Sequence, residues 1–343
     1  QAEDGIRDVE RSRGLGDVYK RQVVVRHHFA SDHRTLDVNG IPVAGTGRVL
    51  KTTQKVQAHL PLLLYEAHNG KPAESVLTIG LGSGSTSWSL ALHDELKRVH
   101  CVELLKEVKQ SAQENFQDLN HNVFDVPKYH VFIEDARTFV LASEKKYDVI
   151  MDDSVHPGFQ GNANLYSRDF FSNCRQCLTE RGVMSVWIPV YRISDDDLKM
   201  IFNAFMDVFP HATLWLPNNG LNKHMVLVGA SEKLRIDLPK MIARMQDEKV
   251  REDLAVVDLD DPLFLLGSLL MDEEALREFS RGGKTHTDNH PYLAFSCPRS
   301  RRRYGVDDPW LDRIDHIRAA LSLIHISEPT RPLYISYAVF CLK

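Results

Sequence analysis

Between residues 75 and 229 short apolar runs rich in β-branched side chains alternate with stretches of helical periodicity, and that order admits few architectures. Strands are expected at 75–79, 99–103, 129–133, 147–152, 183–188, 213–216 and 224–228. Helices are expected near 85–97, 106–118, 136–143, 166–179 and 195–208, between the first six strands. Ser194, followed by Asp195, Asp196 and Asp197, reads as the capped start of the last of these helices. Strands joined through helices return parallel to one another, which predicts a doubly wound sheet. Asn218-Asn219-Gly220 leaves no room for a crossover helix between the last two strands, so that pair is expected to be antiparallel.

Five strands alternating with helices and finished by a hairpin describe an α/β, methyltransferase-like (Rossmann-type), seven-stranded sheet. This domain is expected to span 53–230, opening with a helix over 54–68. Ahead of it, 23–52 alternates apolar and polar residues around Asn39-Gly40, a hairpin signal that predicts a small N-terminal β appendage. Behind it, 231–300 reads as a helical C-terminal extension, with helices at 238–246, 262–271 and 272–280 and an extended segment at 292–295. The run Arg299 to Arg303 opens a basic tail over 301–320.

The two ends read as translated sequencing adapter. Written as GCA GAA GAC GGC ATA CGA GAT, residues 2–8 have a reverse complement that translates as residues 335–341, Ile-Ser-Tyr-Ala-Val-Phe-Cys. The pairing holds for all of 1–22 against 342–321 and fails at Val23 against Ala320. The native frame is therefore expected to be 23–320, truncated at both ends, with 1–22 and 321–343 foreign.

A formal net charge of −5 is that of an ordinary soluble protein, and no basic, aromatic-lined face accompanies the arginine run, which argues against a nucleic-acid partner. No apolar run approaches the roughly 18 residues that span a bilayer. We expect a cytoplasmic segment that works as a homodimer, with any membrane tether lying upstream. Cys174 and Cys177 form a lone C-x-x-C inside a helical pattern, and His286, Asp288 and His290 have no further partners to complete a site. No metal is expected.

In an open parallel sheet, ligands bind beyond the carboxyl ends of the strands. The first strand runs into Gly80-Leu81-Gly82-Ser83-Gly84-Ser85, a turn that lets backbone approach a ligand. The second ends in Glu103, about 20 residues beyond the first glycine, where a carboxylate accepts ribose hydroxyls. The third delivers Glu134-Asp135 and the fourth Asp152-Asp153. A single acid at a strand end is more often a solvated loop residue or helix cap. Acids at three successive strand ends, facing one crevice, point to a site.

Several segments together resemble the spermidine synthases, the polyamine aminopropyltransferases. They are Ala58-His59-Leu60-Pro61-Leu62, the glycine turn, Val102-Glu103, Asp135, and Asp148-Val149-Ile150 leading to Asp153-Ser154-Val155-His156-Pro157. Val38-Asn39-Gly40, Ala163 to Phe171, Val208 to Trp215 and Thr287 to Leu293 are similar to a bacterial branch of that family often fused behind membrane helices. The resemblance covers nearly all of 35–300. It implies transfer of an aminopropyl group from decarboxylated S-adenosylmethionine to a small-molecule amine acceptor, releasing methylthioadenosine. Gly80, Gly82, Ser83 and Gly84 would pass the sulfonium side, Glu103 the ribose and Asp135 the adenine, with Gln54 and His59 nearby. Asp153 would be the base, because an alkylamine with a pKa of about 10 must lose a proton before it attacks carbon.

The departures from that family fall on its amine side. Ser83 stands where the synthases place an acid, His156 where they place the second acid of a D-x-x-D pair, and Thr53 where a tyrosine is expected. An altered acceptor is the expectation, with His156 a second catalytic candidate because it can titrate. Two alternatives remain. One is methyl transfer from intact S-adenosylmethionine on the same sheet; the other is a weakly catalytic nucleoside-binding domain attached to a membrane partner.

Overall fold

The structure, a computed structural model, describes residues 22–28, 33–159, 161–217, 222–304 and residue 314. The adapter-like ends apart from Gln22, the Asn218-Asn219-Gly220 turn and most of the 301–320 tail lie outside the described residues.

Three antiparallel strands, β1 (Val23–His28), β2 (His33–Val38) and β3 (Ile41–Gly45), form the N-terminal appendage, with Asn39-Gly40 as the turn between β2 and β3. Helix α1 (Arg48–Asn69) follows. It starts six residues before the sequence pattern suggests. Its buried positions run almost without a break from Thr52 to Leu64, because it lies between the main sheet and the C-terminal helices.

The main sheet begins with β4 (Ser75–Ile79), buried along its whole length, and continues through α2 (Ser85–Ala91) to β5 (Arg98–Glu103). Helices α3 (Lys106–Asn115) and α4 (Gln117–Asn120) precede β6 (Tyr129–Ile133). Helix α5 (Ala136–Ala142) precedes β7 (Tyr147–Asp152), α6 (Arg168–Cys177) precedes β8 (Leu178–Pro189), and α7 (Asp195–Met206) precedes β9 (His211–Trp215) and β10 (His224–Ala230). The helical region then runs α8 (Leu238–Met245), α9 (Glu248–Ala255), α10 (Pro262–Leu266), a short β11 (Leu269–Met271), α11 (Glu273–Ser280) and α12 (Tyr292–Tyr304).

Strand order is β11-β9-β10-β8-β7-β4-β5-β6. The strands from β6 to β8 are parallel neighbours, and β10 runs antiparallel between β8 and β9. This is the methyltransferase-like α/β sheet the pattern predicts, with all seven expected strands. An eighth is added at the edge, where Leu269 and Met271 pair with β9 in a stretch that reads as helix. Burying a Leu- or Phe-sized side chain contributes about 1.5–3 kcal/mol, and both faces of the sheet carry contiguous layers of such residues. Cys174 and Cys177 belong to one of these layers as buried, unpaired thiols, which accounts for the lone C-x-x-C as helix packing.

Residues 292–295 are helical rather than extended, and the arginine run is part of α12 rather than tail. Ser296 and Ser300, one turn apart, donate to the two carboxylate oxygens of Asp197 at the start of α7, and that contact requires a helix. In the middle of the sheet Asp148 of β7 fixes the start of β4, its Oδ2 accepting from the backbone amides of Glu74 (2.9 Å) and Ser75 (3.0 Å). Among the described residues no helix is long and apolar enough to cross a membrane.

Candidate active site

From β4 the chain moves to β5 and β6 on one side, then returns to β7 and β8 on the other. Loops leaving β4 and β7 therefore diverge, which opens a crevice at their carboxyl ends. A cleft of about 240 Å³ occupies it. The glycine turn forms one wall, with Gly80 and Gly82 in the left-handed region at φ +93° and +54°. A Cβ on Gly80 would lie 2.6 Å from the carbonyl oxygen of Asp153, so turn and loop are in backbone contact. Hydrogen bonds lock them to the sheet: Gly80 N–H donates to Val102 O (2.8 Å) and Asp153 N–H to Ile79 O (2.9 Å).

Glu103 lines the floor. Its carboxylate accepts the amides of Leu81 (3.1 Å) and Leu105 (2.9 Å), which fixes its orientation from both sides. Asp135 also lines the cleft, and its Oδ1 caps α5 by accepting from Thr138 N–H at 3.0 Å. Asp153 accepts from the Thr86 hydroxyl at 3.3 Å, and burial pushes its carboxyl up to about 6. A carboxylate with that pKa can take a proton from an amine near neutral pH. Its neighbour Asp152 is fully buried, which pushes its carboxyl up to about 8. Gln54 reaches the cleft from α1 and donates to the Ser83 hydroxyl at 3.1 Å.

Four expected site residues lie elsewhere or act otherwise. His59 is fully buried on the far side of α1, where Nε2–H donates to Asp253 (2.8 Å) and Nδ1 accepts from His93 Nε2–H (2.9 Å). Asp253 also accepts from Lys55 (2.6 Å) and Ser89 (2.6 Å), so this cluster ties α1 and α2 to α9 and does not touch the cleft. Burial works against the charge of Asp253, yet His59 and Lys55 hold its carboxyl well below the usual range. Ser83 is buried beneath the turn with its hydroxyl on Gln54, and Gly84 packs against Asn120; neither lines the cleft.

His156 does line it, but its ring is engaged at both nitrogens. Nε2–H donates to Tyr191 O (3.1 Å), and Nδ1 accepts from Gly158 N–H (2.9 Å). Burial pushes its pKa down to about 4. The ring pins the loop after β7 to the end of β8 and has no nitrogen left to exchange a proton, so a catalytic acid or base at His156 is not what the geometry provides.

A family model described as the spermine/spermidine synthase domain matches residues 50–240, more than half of the chain and every strand from β4 to β10. The chain belongs to the spermine/spermidine synthase family. Polyamine aminopropyltransferase 1 of Pseudomonas aeruginosa is 32% identical over 143 residues, which are 40% of this chain and 48% of that one. A polyamine aminopropyltransferase of Pseudomonas syringae is 28% identical over 182 residues, 50% of this chain and 61% of the relative. The chain thus spans between about half and three fifths of these curated relatives. Among solved structures, a probable spermidine synthase from Corynebacterium glutamicum aligns with a TM-score of 0.56 at 19% identity, over 79% of this chain and 95% of that one. A spermidine synthase in complex with the transition state analogue AdoDATO aligns with a TM-score of 0.52 at 18% identity, over 82% and 84%. At such identities these structures bear on the fold.

Against that family frame, several cleft residues carried no sequence signal. Trp187 and Tyr191 come from β8 and the turn beyond it, His224 from the first position of β10, and Ile41 to Ala44 from the hairpin that closes over the glycine turn. His286 and Asp288 serve structure: His286 Nε2–H donates to Ala163 O (2.9 Å), while Asp288 accepts from Ser167 (2.7 Å) and pairs with Arg137 at the cleft rim. Among the described residues no cluster of His, Cys, Asp and Glu could hold a metal ion.

Proposed function

We propose that the chain is an aminopropyltransferase that uses decarboxylated S-adenosylmethionine and a small-molecule amine whose binding half is altered. The observation that carries this reading is the pair of carboxylates in one cleft on either side of the glycine turn: Glu103, rigidly held, and Asp153, with a raised pKa. Glu103 would receive the ribose hydroxyls and Asp135 the adenine amino group. The Gly80 and Gly82 backbone would lie along the sulfonium arm. Asp153 would accept the proton that the amine loses as its nitrogen bonds to carbon. Family membership supports the nucleoside half. The amine half rests on the departures at Thr53, Ser83 and His156.

The test is incubation with decarboxylated or with intact S-adenosylmethionine and a panel of amines, followed by mass spectrometry. Methylthioadenosine together with an aminopropylated amine is the expected result. S-adenosylhomocysteine in place of methylthioadenosine would establish methyl transfer and overturn the proposal, and so would the absence of any product from a folded protein that binds methylthioadenosine.

A further inference from the structure

Across the cleft from the nucleoside half, the wall is built from rings. Trp187 and Tyr191 lie 5.3 and 5.7 Å from the His224 ring, and His156 lies 5.3 Å from Tyr191 and 5.8 Å from Phe159. Among the described residues Asp153 is the one carboxylate lining this half. The other acids at the cleft, Glu103, Glu134 and Asp135, follow β5 and β6. Cations already stand on the aromatic faces: the Arg301 guanidinium lies 4.2 Å from the Phe159 ring centre, and the Lys223 ammonium 4.8 Å from that of Tyr191.

His224 is held in place by Thr53. The Thr53 hydroxyl lies 2.7 Å from His224 Nδ1 and 3.0 Å from Val49 O, hydrogen-bond distances that tie the ring to α1. Nε2 has no hydrogen-bond partner among the described residues, on a ring that lines the cleft. Burial and the nearby Lys223 push the His224 pKa down to about 3, so the ring supplies no charge of either sign.

We propose that this half of the cleft takes a primary monoamine with an uncharged, apolar tail, and that His224, oriented by Thr53, is the residue that disfavours diamines. This rests on reading Asp153 as the base of an aminopropyl transfer. In that transfer the neutral amine nitrogen forms a bond to the aminopropyl carbon while the carbon–sulfur bond breaks. Its electron pair goes to sulfur, and the surplus ammonium proton passes to Asp153. None of these steps needs a second nitrogen on the acceptor. A diamine would bring one as ammonium into a space with no second carboxylate among the described residues, between rings that already carry the Lys223 and Arg301 cations, where desolvation and like-charge repulsion both oppose it. An alkyl or aryl tail meets the Trp187, Tyr191 and His224 rings at no such cost.

Calorimetry of the full chain, alone and saturated with methylthioadenosine, would compare n-butylamine, benzylamine and putrescine. The monoamines are expected to bind at least tenfold more tightly than putrescine. His224→Glu, which places a carboxylate at this wall, is expected to shift the ratio at least tenfold toward putrescine. Thr53→Val, which releases the ring's fixed orientation, is expected to narrow the monoamine preference. Putrescine binding the parent as tightly as n-butylamine overturns the proposal; so does no measurable monoamine binding, or a folded His224→Glu variant with an unchanged ratio. Mass spectrometry separates this inference from the one beneath it. Monoamine selectivity without aminopropyl product leaves it standing while the transfer reading fails, and efficient aminopropylation of putrescine does the reverse.

Discussion

Replacing Gly80 with alanine puts a methyl carbon 2.6 Å from the carbonyl oxygen of Asp153 and 3.3 Å from its carbonyl carbon, at a residue whose φ is +93°. Two penalties combine. An L-residue in the left-handed region costs about 1–2 kcal/mol. The overlap adds to it, because ordinary contact begins near 3.4 Å and the opposing atoms are backbone that cannot swing away. A total of about 2–4 kcal/mol follows, which for a chain of this size lowers Tm by roughly 5–15 °C. The overlap can be relieved only by moving the loop that carries Asp153. Displacing a reacting group by 1 Å costs about 100-fold in rate, and kcat/KM should fall by that order. Gly82→Ala is the comparison: it shares the left-handed penalty at φ +54°, but its Cβ would meet only the Ala44 Cβ, at 3.1 Å, a side-chain rather than a backbone contact. Thermal unfolding, methylthioadenosine calorimetry and aminopropyl transfer, measured on both variants, give the comparison. If Gly80→Ala melts within about 2 °C of the parent and keeps its rate, or if Gly82→Ala suffers equally, the turn does not position Asp153 through this contact.

Asp153→Asn is expected to lose about 10²–10⁴-fold in turnover, and parent kcat/KM to fall about tenfold per pH unit below about 6, where the base becomes protonated, a limb the variant should lack. Asp152 is raised from 3.8 to about 8 on folding, so the folded state binds more protons between those values and stability falls as pH rises through that window. Asp152→Asn should accordingly melt higher than the parent at pH 8, with the two converging near pH 4; a constant difference across that range would refute the assignment. Asp253→Ala leaves Lys55 buried beside His59 without its carboxylate and should cost about 3–5 kcal/mol, read as a Tm loss on the order of 10 °C. Because the Asp253 carboxyl is held low in the folded protein, its contribution is present above the ordinary carboxylate range and lost as pH falls toward the folded value, so the parent and variant curves should approach each other in acid.

The sheet was legible because parallel strands are buried on both faces and so read as compact apolar runs, bounded here by glycine turns and capped helices. The errors share one cause: contacts between distant segments overrode local preference. Tyr292-Leu293-Ala294-Phe295 has the composition of a strand but becomes helix because Ser296 and Ser300 must both reach Asp197. Leu269 to Met271 looks like the end of a helix but pairs with β9, which needs an edge partner. His59 follows the same rule. The resemblance to the spermidine synthases implied a place near the cleft, whereas Asp253, far along the chain in α9, holds the ring away from it.

The site was legible to the extent that it is charged. A carboxylate at the end of a buried strand stands out from its surroundings, and Glu103, Asp135 and Asp153 were all readable on that ground. Neutral and aromatic site residues do not stand out, because a Trp or Tyr beside an apolar strand looks like core. Strand direction hides them further. Ligands gather at the carboxyl ends of parallel strands, but β10 runs antiparallel, so at that edge it presents its first residue rather than its last. The register sets His224 opposite Pro189 at the end of β8, which brings His224 to the same rim as Asp153. The role of His156 depended on a contact equally remote from its own loop. The Tyr191 carbonyl takes one ring nitrogen and the Gly158 amide the other, and a histidine that looks like a proton carrier in sequence becomes a pin between two loops. On the proposed function, the nucleoside half of this cleft is written in strand-end acids, while the amine half is set by rings whose hydrogen-bond partners only the fold supplies.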